Sequence, residues 1–281
     1  MKEVVLTAEE TERGYNNRVA VPEHPQHFVQ YARLSEAARK RYAPARNLRY
    51  GPNAHESLDL FLPPATPRGT YVYIHGGYWR ALSKEDYSFV AGPMVDAGIA
   101  CAVIDYDLCP SVSIATIVDE CRRAVAWVAR DGARHGVSGP LVVGGSSAGG
   151  HLAAMMFATD WRAHGFESSP LAGGVTVSGV HDLRPLVRFS YNVDLKLDAA
   201  EAWRQSPVAY PSTTSAPLLI ACGADETTEF VRQSQLMWEA WPQNRRPLDG
   251  PLFVPGADHF TIQLDHARAD SDLTRATLAL F

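Results

Sequence analysis

From about residue 56 onward, short apolar runs rich in β-branched residues alternate with stretches of helical period, the pattern of a mostly parallel sheet flanked by helices. Strands are expected at Leu58 to Leu62, Thr70 to Ile74, Ile99 to Asp105, Pro140 to Val143, Gly174 to Val177, Pro217 to Cys222 and Leu252 to Val254. The clearest helix starts at a Ser113 cap and carries Ile114, Ile117, Val118, Cys121, Val125 and Val128 on one face, with Gly132 or Gly136 as its end. A second, from Thr228 to Trp241, turns Phe230, Val231, Ser234, Met237, Trp238 and Trp241 to one side. Both stripes read as core.

The first 55 residues differ in kind: Tyr15-Asn16-Asn17-Arg18, then the Pro-interrupted Val21 to Pro25, then a helical run from about Gln26 to Tyr42. A lone helix of that length does not hold together in water, so residues 1–55 are expected to brace or cap a main domain of residues 56–281. His24 and His27 read as a solvated pair, since no third ligand follows that would make them a metal site.

The length of 281 residues, 46% of them hydrophobic, suits one large core and excludes a disordered or fibrous chain. Twenty-six Lys and Arg against 31 Asp and Glu give a net charge of −5 with no basic stripe, which argues against nucleic acid as a partner. No apolar run reaches the ~20 residues of a membrane span, and the opening Met1 to Thr7 is too short and too acidic downstream for a secretory signal. Cys101, Cys109, Cys121 and Cys222 form no C-x-x-C pair and read as buried thiols of a reducing compartment, so a cytoplasmic location is expected.

Candidate chemistry begins at Gly145-Ser146-Ser147-Ala148-Gly149, between the strand Leu141 to Val143 and a helix. Glycines there allow a sharp strand-to-helix turn on which Ser147, the centre of a G-x-S-x-G frame, can project its hydroxyl. After the strand ending at Ile74 comes His75-Gly76-Gly77-Tyr78-Trp79, where this architecture supplies backbone N–H groups to a developing oxyanion. His75 would hold that loop and take no part as a base.

A serine nucleophile needs a base and an acid, in the chain order Ser, acid, His. His259 after the last strand suits the base, with His266 as its rival; His151, just past Ser147, reads as a core or interface histidine. After the strand Pro217 to Cys222, Asp225 and Glu226 offer adjacent carboxylates, of which only one can orient His259, the other serving as a solvated helix cap.

Several segments together resemble the arylformamidase, or kynurenine formamidase, branch of the α/β-hydrolase superfamily. They are the H-G-G-Y-W loop, the G-x-S-A-G-G-H elbow, Ser178-Gly179-Val180-His181-Asp182-Leu183-Arg184-Pro185, Glu229-Phe230-Val231-Arg232-Gln233-Ser234 and the late His-Phe. The similarity spans roughly residues 15 to 265. It implies an α/β-hydrolase fold and a metal-independent serine hydrolase without cofactor. Its spacing, three residues before Glu229 and nine after Pro217, selects Glu226 as the acid.

The implied reaction is removal of a small acyl group from an aryl amide of the N-formylkynurenine kind. Ser147, Glu226 and His259 would be the triad and the amides of Gly77, Tyr78 and Ala148 the oxyanion hole. Trp79, Tyr191 and Phe260, with Tyr78 and Trp203, are candidates to line an aromatic leaving-group pocket. His181 stands in a segment expected near it, where family members often carry Tyr, so the substrate does not simply carry over. A short-chain carboxylesterase and a binding protein that has lost the chemistry are the competing readings. The expected partner is a small-molecule substrate, with no nucleic acid or membrane and with a homodimer left open.

Overall fold

The computed structural model describes residues 5–247 and 249–281. Residues 1–4, part of the opening read above as lacking a secretory signal, lie outside the described residues.

The described residues contain nine strands, all in one sheet. They are β1 (Ala45–Arg49), β2 (Ser57–Phe61), β3 (Thr70–Ile74), β4 (Ala100–Ile104), β5 (Leu141–Ser146), β6 (Leu171–Val177), β7 (Leu218–Gly223), β8 (Arg245–Arg246) and β9 (Leu252–Val254). Their order is β1-β2-β4-β3-β5-β6-β7-β8, and β9 continues the edge beside β7. β2 runs antiparallel to β1 and β4, and the pairs from β4–β3 through β7–β9 are parallel. Parallel strands covered on both faces read as continuous apolar runs, and β3, β4 and β5 are buried at every position.

The helices are α1 (Ala8–Tyr15), α2 (Asn17–Ala20), α3 (His24–Tyr42), α4 (Ala91–Asp96), α5 (Ile114–Asp131), α6 (Ala148–Phe157), α7 (Asn192–Leu195), α8 (Ala199–Arg204), α9 (Thr228–Ala240), α10 (Thr261–Leu264) and α11 (Asp272–Leu278). α5 starts as its pattern predicts, with Ser113 Oγ accepting from the Thr116 amide at 3.2 Å. Gly132 ends it, and one further tight turn closes at Gly136 with φ of 89°. Two core clusters cover the two faces of the sheet. One is built around α5, α6 and α9, and the other takes in Tyr31 of α3, α4 and the chain's end.

The face of α9 differs from its apolar pattern. Phe230, Ser234 and Met237 are buried, but Val231 and Trp238 are only half-buried, and Gln233 goes fully inside. A buried amide is tolerated when its atoms are bonded. Gln233 Nε2 donates to Tyr15 Oη and the Asp182 carbonyl, and its Oε1 accepts from the His181 and Asp182 amides.

The N-terminal segment contributes more than helices. β1 lies in it and pairs with β2, so the sheet crosses the boundary expected near residue 55. β1 was not legible because its residues, Ala-Arg-Asn-Leu-Arg, are mostly exposed on an edge strand with no apolar alternation. Its two outer helices are tied down by long-range bonds: Tyr15 Oη to Glu229 Oε2 at 2.9 Å, and Tyr31 Oη to the Phe260 carbonyl. Among the described residues no helix is long and apolar enough to cross a membrane. All four cysteines are buried and unpaired.

Candidate active site

β5 runs through Ser146, and Ser147 stands alone between it and α6 with φ of 56° and ψ of −120°, a conformation costly for a residue with a side chain. The turn closes so tightly that its glycines are obligatory. A Cβ on Gly149 would lie 2.0 Å from the Ile74 carbonyl oxygen, and one on Gly145 would lie 2.4 Å from the Gly149 carbonyl oxygen. The Ser147 amide is anchored to the Val177 carbonyl at 2.8 Å, which fixes the elbow against β6.

Ser147 Oγ donates to His259 Nε2 at 3.0 Å, and His259 Nδ1 donates to Glu226 Oε2 at 2.7 Å. An ionised carboxylate only accepts, so Nδ1 carries the proton and Nε2 is free to take one from the serine. Glu226 Oε1 accepts from the Gly223 amide at 2.9 Å and from Ser178 Oγ, which holds the carboxylate still. Asp225, by contrast, is exposed, and the N-cap of α9 is Thr227, so Asp225 does not serve as the helix cap expected of the second acid. Phe230 packs on the His259 ring at 4.5 Å, limiting its rotation.

The rival assignments separate cleanly in space. His266 is fully buried and faces Ser146, not Ser147: Ser146 Oγ lies 3.4 Å from its Nε2 and accepts from Tyr73 Oη at 2.9 Å. Burial pulls His266 down to about 4, so it is neutral at ordinary pH.

The loop after β3 takes three successive residues with positive φ: Gly77 at 112°, Tyr78 at 52° and Trp79 at 56°. Only glycine fits the first, since a Cβ there would meet the Ala81 carbonyl oxygen at 2.0 Å. His75 holds the loop as expected. Its Nε2 meets Asp105 at 3.1 Å, its Nδ1 the Gly76 carbonyl at 2.7 Å, and its ring stacks on Tyr106 at 4.1 Å. Burial opposes the charge on Asp105, but the bond from His75 and the neighbouring Lys84 keep its carboxyl below the usual range. Among the described residues, the amides of Gly77, Tyr78 and Ala148 donate to no protein group.

Ser147 and His259 open into a cleft between the hydrolase body and the N-terminal segment. Six aromatic side chains stand in its walls, those of Phe28, Tyr31, Tyr78, Tyr87, Tyr191 and Phe260. A group of three or more His, Cys, Asp or Glu side chains able to hold a metal ion does not occur among the described residues.

A model of the BD-FAE family matches residues 58–241, from β2 to the end of α9. The kynurenine formamidase of Salmo salar is 32% identical over 241 residues, which cover 83% of this chain and 81% of that relative. The chain belongs to this family of α/β-hydrolases. Within it, the similarity to kynurenine formamidases extends over most of the chain. A Silicibacter protein of known structure, described as a candidate thioesterase, superimposes with a TM-score of 0.84 at 31% identity, over 95% of this chain and 98% of that one. The esterase LipC of Mycobacterium tuberculosis is 26% identical over 86% of this chain and 65% of its own. The α/β-hydrolase fold expected from the sequence is therefore established, and the chain is a hydrolase enzyme.

In this α/β-hydrolase not every expected pocket residue lines the cleft. Tyr191 and Phe260 do, together with Gly77 and Tyr78. Trp79 does not: it is fully buried, with Nε1 donating to His151 Nδ1 at 3.2 Å. His181 is also core, wholly buried beside Thr176 Oγ1 at 3.2 Å and pulled down to about 3 by burial. Trp203 stacks under Arg184 at 4.3 Å and stands outside the cleft lining. His24 and His27 are not a solvated pair; both are half-buried, with ring centroids 5.5 and 6.2 Å from Phe260.

The sequence reading missed the part of the cleft built by the N-terminal segment. Asn16, Asn17, Arg18, Phe28 and Tyr31 all line it, as do Arg80 and Gln263. The unusual Tyr-Asn-Asn-Arg run was the available signal, but nothing in a linear pattern says which cleft a brace covers.

Proposed function

We propose that the enzyme removes a formyl or similarly small acyl group from an aryl amide of the N-formylkynurenine kind. The observation that carries this reading is the unbroken chain of hydrogen bonds from Glu226 through His259 to Ser147, at the floor of an aromatic cleft. The 32% identity to a kynurenine formamidase supports the choice of acyl and leaving group.

Ser147 Oγ attacks the formyl carbon as its proton passes to His259 Nε2, and the imidazolium so formed is stabilised by Glu226. The oxyanion is received by the amides of Gly77, Tyr78 and Ala148, each such donor lowering the barrier by about 3 kcal/mol. An anilide nitrogen leaves only when protonated, so His259 returns its proton as the intermediate collapses. Water, deprotonated by the same imidazole, then releases formate from Ser147. These steps ask for no metal or cofactor.

Residues 1–55 serve in this reading as a brace that completes the cleft over the hydrolase body of residues 56–281. A cytoplasmic location fits the four unpaired, buried thiols.

Carboxylester hydrolysis is the second reading, favoured by the similarity to LipC and to the candidate thioesterase. An ester leaving group asks less of the same His259. The two are separated by kcat/KM on N-formylkynurenine, on other anilides, and on p-nitrophenyl esters of increasing acyl length. The formamidase reading expects cleavage of N-formylkynurenine and a steep fall beyond two acyl carbons, because a closed acyl pocket rejects added methylenes. Preference for butyryl over acetyl esters, with N-formylkynurenine untouched, would leave the esterase.

A further inference from the structure

The cleft is lined by cationic side chains and by no acidic one. The protein has a net charge of −5, yet the side chains lining the cleft include Arg18 and Arg80 and no Asp or Glu. Arg80 is neutralised: it forms an ion pair with Asp194 at 2.5 Å and lies 4.5 Å above the Tyr191 ring. Arg18 is different. Among the described residues no carboxylate lies within ion-pairing distance of it, and the Phe28 ring lies 5.8 Å from its guanidinium.

Next to Arg18 is a second anomaly. Asn17, the first residue of α2, is 96% buried, since its exposure is only 4%, and its Nδ2 has no hydrogen-bond partner. A buried donor left unmatched is costly, and one in the wall of a cleft is satisfied when a ligand brings the acceptor. Asn17 and Arg18 are consecutive, and both line the cleft that holds Ser147 and His259.

We propose that Asn17 and Arg18 form an anion subsite that selects substrates whose leaving group carries a carboxylate. The inference rests on the amide-hydrolase reading above in one respect: a one-carbon acyl group has no room for a charge, so the anion must sit on the leaving group. A guanidinium presents paired donors matched to the two oxygens of a carboxylate, and the Asn17 amide supplies one more. The uncompensated positive potential also raises the local concentration of anionic substrate.

The test compares matched pairs that differ only in a carboxylate on a short tether: two formanilides and two aryl acetates. The readout is the ratio of kcat/KM for the acid to that for the neutral member, in wild type, Arg18→Gln and Arg18→Lys. Arg18→Gln is expected to lower this ratio about ten- to hundredfold, mainly through KM, and Arg18→Lys to recover part of it. In wild type the ratio should shrink as salt rises from ~20 mM to ~500 mM. If the formamidase reading fails, the formanilides are not cleaved while the acetate pair still reports on Arg18. If neither pair turns over, calorimetric binding of 2-aminobenzoate against aniline to the Ser147→Ala protein, with and without Arg18→Gln, gives the answer. A ratio unaltered by Arg18→Gln, whether or not both rates fall together, would overturn the proposal.

Discussion

Tyr31 Oη donates a hydrogen bond to the backbone carbonyl of Phe260, joining α3 of the N-terminal segment to the residue that follows His259. Tyr31 is almost wholly buried, and Phe28, His24 and His27 of the same helix pack around the Phe260 ring. The loop that presents His259 is thus held from the far end of the chain.

That bond is testable. Tyr31→Phe leaves the Phe260 carbonyl without its donor, which should lower stability by about 1–3 kcal/mol. It should also lower kcat severalfold, because small displacements of a catalytic group are expensive. Urea unfolding beside steady-state kinetics checks both. Unchanged kcat with reduced stability would show that the brace supports the fold alone.

Ser147→Ala is expected to abolish turnover with a change in stability within about 1 kcal/mol, because the Ser147 hydroxyl faces the cleft. Ser146→Ala should keep most activity and lose stability instead, since its hydroxyl links Tyr73 and His266 in the core. A fluorophosphonate probe followed by peptide mapping should label Ser147 only.

Glu226→Gln should lower kcat by about 10³ to 10⁴, as the imidazole loses both its orienting acceptor and its counter-charge. Asp225→Asn, on an exposed carboxyl, should stay within a few-fold of wild type. Reversed ranking of the two variants would move the acid to Asp225.

Stability should fall with acid before the carboxylates titrate. Burial holds His151 and His266 near 4 and His181 near 3, all below the usual histidine value. Below about pH 6.5 the unfolded chain takes up protons at these sites that the folded chain refuses, so stability is complete above that pH and declines as pH drops toward 4. The urea midpoint should therefore be flat from pH 7 to 8 and slope downward from pH 6.5 to 5. Replacing His266 by Phe should reduce that slope by about one proton's worth.

The amino-acid sequence by itself determined the repetitive part of the molecule. Strands such as Thr70–Ile74 and the Ser113-capped helix follow from local apolar period and capping, which depend on neighbours a few residues apart. The elbow was legible for the same reason, because a strand, two glycines and a helix are contiguous. The choice between Asp225 and Glu226, which residue pattern left open and family resemblance settled as an expectation, depends on which carboxyl meets His259, 33 residues away. Trp79 and His181 went inward, and His24 and His27 went onto Phe260, because burial of a ring is decided by what packs against it. The wall that Asn17 and Arg18 give the cleft lies furthest from local inference. It exists only because residues near the start of the chain fold across Ser147 and His259, and side-chain periodicity carries no information about contacts at that separation.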